Sequence, residues 1–151
     1  MPKKSRVIGL VLVTVLLVGC SYQQTTKILP TEKIKLGQGE LVVELAVTQQ
    51  EQSKGLSDRS SLGKNRGMLF VFSKPGNYTF WMDKMNFPID IIWLNNGEVV
   101  GINDNVPPPL EPDARVQTVF PPQEIDLVLE TAAGWAKDNA VKVGSKIEYL
   151  P

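Results

Sequence analysis

The chain contains no histidine and a single cysteine, Cys20, among its 151 residues. Without imidazole, the Ser-His-Asp and Cys-His arrangements that activate a hydroxyl or thiol nucleophile are excluded. Zinc held by imidazole or thiolate goes with them. One cysteine cannot form a disulfide within the chain, so the fold holds by packing alone. An excess of positive charge is also missing, since 16 basic residues face 16 acidic ones. What remains is 42% hydrophobic and 21% charged, a composition that supports one folded domain.

Long apolar runs are confined to the start. The segment opens MPKKSR, continues as an almost unbroken apolar run from Val7 to Val18, and ends Leu17-Val18-Gly19-Cys20. The run falls short of the roughly 20 apolar residues that span a bilayer, and basic start, apolar run and small residue together form an export signal. The ending resembles a bacterial lipobox. That resemblance implies cleavage before Cys20 and a lipid on its sulfur, so residues 1–19 are expected as a lipoprotein signal peptide. The alternative is a plain secretory peptide or an uncleaved helix. Residues 20–32 are expected as a lipidated tether and residues 33–151 as the folded domain. The protein is then expected to be exported and anchored to the cell membrane or outer membrane, with membrane lipid as its partner through Cys20. Removing Lys3, Lys4 and Arg6 leaves 13 basic residues against 16 acidic, a net charge of −3. Nucleic acid is not an expected partner of such a surface.

Beyond the tether the pattern is that of short strands. In Glu40–Val47 the residues Leu41, Val43, Leu45 and Val47 alternate, which is the strand period. Thr48-Gln49-Gln50-Glu51 fits a helix capping box, with Gly55 placed to stop the helix. Short β-branched or aromatic segments follow at 67–72, 78–82, 89–94, 98–102, 125–130 and 146–150. Lys74-Pro75-Gly76-Asn77 suits a turn, Asn95-Asn96-Gly97 a hairpin, and 132–139 a second short helix. The prolines at 107–109, 112, 121 and 122 mark a stiff connection, because proline donates to no sheet ladder. These elements predict a compact, mainly antiparallel β sandwich or barrel with one or two short helices, without the βαβ rhythm of a parallel sheet.

Five motifs, in order, carry a family resemblance: GLSDR from Gly55, GMLFVF from Gly67, FWM from Phe80, PIDIIWLNNGEVV from Pro88 and VLETAAG from Val128. The chain resembles the bacterial and archaeal domain of unknown function 192 family over about Glu40 to Tyr149. The resemblance implies a small, jelly-roll-like β domain, often exported, and no established reaction. It also selects Arg59, Asp90 and Glu130 as a candidate polar cluster. Asp83-Lys84 departs from the Lys-Asn of many members.

Three uses of these groups remain open on the residues. Arg59 could bridge Asp90 or Glu130 as a buried ion pair, since a charge in an apolar strand needs a partner. The groups could hold an envelope saccharide, a protein or a small polar ligand. As an alternative, Asp90 and Glu130 could divide acid and base roles in a carboxylate-dependent hydrolase of cell-wall or extracellular polysaccharide. Met68, Met82 and Met85 could hold copper as thioethers, but methionine also fills cores. Asn103-Asp104-Asn105 is a turn rather than a calcium loop. Trp81 and Trp93 fall in strands that suggest burial; of the three, Trp135 is the best placed to be exposed, a possible aromatic contact, although core packing is favoured even there. No cofactor or metal is expected, and a non-catalytic binding or accessory module of the cell envelope is favoured.

Overall fold

The computed structural model describes residues 28–110 and 116–151; Cys20 and the signal segment lie outside them. Nine strands and two short helices run in the order β1 (Thr31–Leu36), β2 (Gly39–Ala46), α1 (Gln49–Lys54), β3 (Arg66–Gly76), β4 (Phe80–Trp81), β5 (Ile89–Asn95), β6 (Glu98–Val106), β7 (Thr118–Val119), β8 (Ile125–Ala132), α2 (Trp135–Asp138) and β9 (Glu148–Leu150). The fold is mainly β, as the alternation predicts.

Seven strands form one sheet in the order β6-β5-β8-β3-β2-β1-β9, while β4 and β7 form a separate pair. All neighbours in the large sheet are antiparallel except β2 and β3, which run parallel and are joined through α1. That single crossover makes the sheet mixed while leaving it mainly antiparallel. The sheet then curls back on itself. Glu98 of β6 bridges to Lys146, just ahead of β9, and Val99 and Ile147 donate to Ser145 and Gly97 at 2.8 and 2.9 Å. The two edges of the sheet therefore meet, which removes most of the exposed ladder.

Closure gives each strand an inner and an outer face, and the side chains obey the strand period. Ile34, Leu41, Val43, Leu69, Ile92 and Leu129 fill the inside, with Trp135 and Ala136 of α2 packed among them. Their neighbours in sequence, Met68, Phe70, Ile91, Trp93 and Val128, build a second core on the outer face. Leu56, Met82, Met85 and Val119, from the segments outside the large sheet, cover that outer core.

Local rules hold at the elements that were most legible. Thr48 and Glu51 form the capping box and Gly55 caps the C-terminus of α1. The Asn95–Glu98 hairpin turns through Asn96 at φ 49° and Gly97 at φ 75°, the left-handed pair that this tight turn requires.

Three expectations are corrected. β1 begins at Thr31, inside the expected tether, because Ile34 and Leu36 point into the closed sheet while Lys33 and Lys35 face out. Lys74, Pro75 and Gly76 belong to β3, whose pairing with β8 shifts register between Val71 and Gly76. Trp135 is not a surface aromatic: it is 8% exposed, and a Cβ on Gly39 would lie 2.5 Å from its ring.

Candidate ligand-binding site

Register decides which polar residues can meet. Glu44 on β2 stands opposite Met68, Met68 opposite Glu130, and Glu130 opposite Ile91. Partners at one register position point to the same side of a sheet, so Glu44 and Glu130 share the outer face. They sit two strands apart, about 10 Å at the usual strand spacing. Asp90, one residue before Ile91 and opposite Thr131, points to the other side.

Asp90 is therefore separated from Arg59 and Glu130, which corrects the expected three-residue cluster. It is 0% exposed, and its carboxylate accepts the backbone N–H groups of Asn105, Gly134 and Ala136 at 2.8, 3.0 and 2.9 Å. No cation pairs with it among the described residues. Three donors satisfy the buried charge in place of a counter-ion. They fasten the end of β6 and the start of α2 to the inside of the sheet. Asp90 and Glu130 cannot flank one glycosidic bond from opposite faces of a sheet, so the hydrolase built on this pair is geometrically excluded.

Arg59 finds a different partner. Its two terminal nitrogens donate to the two carboxylate oxygens of Glu44 at 2.7 and 2.8 Å, a bidentate pair. Arg66 approaches the same carboxylate at 3.9 Å. The Arg59 hydrogen bonds hold the Glu44 carboxyl below its ordinary range, against the opposing effect of burial. The loop that carries Arg59 is itself fixed: Ser57 Oγ donates to the Asp83 carbonyl, Asp58 N to the Lys84 carbonyl, and Asn86 Nδ2 to the Arg59 carbonyl. The departing residues Asp83 and Lys84 thus contribute backbone acceptors from the exposed rim.

Glu130 is left over. It is 6% exposed, and Arg59 reaches it only as a through-space charge. No hydrogen bond to its carboxyl forms among the described residues. Burial raises its pKa to about 8, and the charge of Arg59 only partly opposes that rise. At neutral pH the group is a protonated acid able to donate one hydrogen bond.

Glu130 opens on a cavity of about 360 Å³ between α1, the outer face of the sheet and β4. The walls are aromatic: Phe70, Phe72, Tyr78, Phe80 and Trp81, with Leu56 and Met85 beside them. Phe72 and Tyr78 stack with centroids 3.7 Å apart, while Phe80 packs nearly perpendicular to Phe70 and Trp93. Gln52, Ser53, Ser57 and Asn77 are among the polar residues of the lining. Trp81, expected in the core, is 51% exposed at this cavity, because β4 pairs only with β7 and not with the large sheet. Met68, Met82 and Met85 all lie in the outer core among apolar side chains, the core-filling use of methionine.

Glu44 and most of the cavity wall escaped sequence reasoning. The available signals were Glu44 on the polar side of an alternating strand and the concentration of aromatics between Phe70 and Trp93.

The fold and the site define a small β domain, closed around one core, with a deep aromatic pocket over an unpartnered acid on its outer face. The chain belongs to the domain of unknown function 192 family, described as Uncharacterized ACR, whose pattern matches residues 32–149. A solved structure from Novosphingobium aromaticivorans, a protein of unknown function, is 32% identical with a TM-score of 0.71 and covers 80% of this chain and 86% of its own. Another, from Sinorhizobium meliloti and named as a candidate transcription regulator, is 25% identical with a TM-score of 0.74 and covers 83% of this chain and 98% of its own. A comparison with curated proteins finds no match. The match takes in 98% of the Sinorhizobium chain, so a relative of nearly this extent is known as a folded structure.

Two predictions test this division of roles. Asp90→Asn keeps one acceptor oxygen but turns an amide N–H₂ toward a backbone donor; it is expected to cost about 2–4 kcal/mol and to lower the thermal midpoint by on the order of ten degrees. Unchanged stability by calorimetry contradicts the anchoring role. For Glu130 the sign is opposite to that of a paired acid. Its folded pKa of about 8 lies above the ordinary 4.5, so the folded state holds the proton more tightly and this group's contribution falls as pH rises between those values. Relative to wild type, Glu130→Gln is expected to gain stability progressively as pH rises through this window. A constant difference in midpoint between the two proteins from about pH 5 to about pH 8 counts against the buried, unpaired state.

Proposed function

We propose that this chain is a non-catalytic binding module of the bacterial cell envelope, tethered by a lipid on Cys20, with the cavity over Glu130 as its ligand site. The observation that supports this most is a polar side chain that is more than nine-tenths buried, lacks a hydrogen-bond partner and opens on an aromatic cavity. A volume of about 360 Å³ falls within the usual range for small-molecule sites. The ligand has an apolar body that replaces water against Phe70, Phe80 and Trp81 and a polar head that meets Glu130. A group with no structural bond of its own is available to supply such specificity, whereas Asp90 and Glu44 are already fully engaged.

Tethering rests on the basic start, the apolar run and the small residue before Cys20. The S. meliloti relative's name suggests regulation, but an acidic net charge after signal removal gives this chain no electrostatic attraction to nucleic acid.

Two measurements check the proposal. In a fragment screen on residues 28–151, amide shift changes are expected to cluster on the cavity wall, and Trp81→Ala is expected to weaken the hits about tenfold with little loss of stability, as for an exposed aromatic anchor. Hits that map elsewhere and ignore Trp81→Ala defeat the pocket assignment. For the tether, radiolabelled palmitate fed to cells is expected to enter the wild-type protein and not Cys20→Ser, which is expected to leave the membrane fraction. Equal labelling of both excludes lipidation at Cys20.

A further inference from the structure

The geometry points to a ligand whose head is a cationic amine, seated on Glu130 among the aromatic side chains that line its cavity. This inference rests on the binding role proposed for the cavity and specifies what occupies it.

The charges around Glu130 account for the choice. From the loop after α1 comes Arg59, whose guanidinium is committed to Glu44 of β2 by two hydrogen bonds. From α1 comes Lys54 at the cavity, whose ammonium is engaged by Asp58. Tyr78 is the titratable group facing the cavity beside β4, and its hydroxyl donates to the Lys74 carbonyl at 2.8 Å. The strands that flank Glu130 place uncharged Met68 and Ile91 opposite it. Arg66 of β3 shares Glu44 with Arg59 at 3.9 Å, and among the described residues no cation forms a hydrogen bond or ion pair with Glu130.

The walls favour a cation over a neutral head. Phenylalanine, tyrosine and tryptophan rings attract an ammonium through their negative faces, more strongly where water is excluded. A hydroxyl head would gain one hydrogen bond from the protonated acid and nothing from the rings. An ammonium gains both the rings and a charge-assisted bond to the carboxylate.

Seating the cation ionises Glu130. The O–H bond of its carboxyl breaks, the proton passes to solvent, and the carboxylate pairs with the ammonium. Because the free group titrates near pH 8, binding releases up to one proton below that pH. Affinity then rises about tenfold per pH unit in the acidic part of the range.

The test compares benzylamine with its neutral counterpart benzyl alcohol, and both with the lysine analogue N-acetyl-lysine methylamide, by calorimetry and Trp81 fluorescence on residues 28–151. Between about pH 6 and about pH 8, benzylamine affinity is expected to rise about fiftyfold while benzyl alcohol affinity stays flat. Glu130→Gln is expected to abolish the pH dependence and bring benzylamine down to the level of the alcohol; that variant keeps the cavity and remains folded on the linkage given above. Tighter binding of benzylamine than of the lysine analogue assigns the head to a free small molecule, and the reverse to a protein side chain; both outcomes support the ammonium. Equal, pH-independent binding of amine and alcohol overturns the ammonium assignment and leaves the pocket reading standing. Failure of all three probes to perturb the cavity at millimolar concentration overturns both.

Discussion

The closure of the large sheet sets the terms for everything built on it. Once Glu98 bridges to Lys146 and the 145–147 segment joins β6 toward β9, the inward side chains of the strands have a core that needs only α2 as a lid. Outward side chains have no such enclosure. Met68, Phe70, Ile91, Trp93 and Val128 are nevertheless apolar, so a second layer must cover them or their burial energy is lost. The cover comes from α1, the loop after it, β4 and β7, which are short pieces with few ladder bonds. Short pieces cannot seal a curved face completely, and the cavity over Glu130 lies where that seal is imperfect.

Two glutamates on one outward row respond differently to this cover. Glu44 lies where the Arg59 loop descends, and its two oxygens meet two N–H groups in the geometry a guanidinium offers. It stays ionised with its desolvation offset. Glu130, two strands away, is beyond that fork and feels the same guanidinium only as a charge. Largely withdrawn from water and without a hydrogen-bond partner among the described residues, it is pushed toward the neutral form. Arg59 thus accounts for the state of Glu44, and burial for that of Glu130.

The sequence carried the strand period well and the strand partners poorly. Leu41, Val43 and Leu45 announced an inner face, Thr48 and Glu51 a helix start, and Asn96-Gly97 a hairpin, because each signal is local. Whether Asp90 meets Glu130 depends on register between β5 and β8, segments some forty residues apart, and a one-residue difference reverses the face. The placing of the tryptophans also depends on partners distant in sequence. Trp135 is buried because Gly39, distant in sequence, leaves room for its ring, while Trp81 is exposed because its strand joins the small sheet. β1 was obscured by the exposed Thr31, Glu32 and Lys33 at its start, which leave only Ile34 and Leu36 as inward apolar residues.

Asp90 and Glu130 also show how a structural acid differs from an available one. Both are buried, and burial alone would suggest that both serve the fold. Yet Asp90 joins three backbone donors from two separate segments, so its removal undoes connections. Glu130 connects nothing: it makes no hydrogen bond, sits beside apolar neighbours, and weakens the fold as pH rises toward its own pKa. An amide or a hydrocarbon of the same size would fill that place at lower cost. An acid that bonds to no part of its surroundings and opens on a cavity is the physical ground for the proposal that a ligand enters beside it.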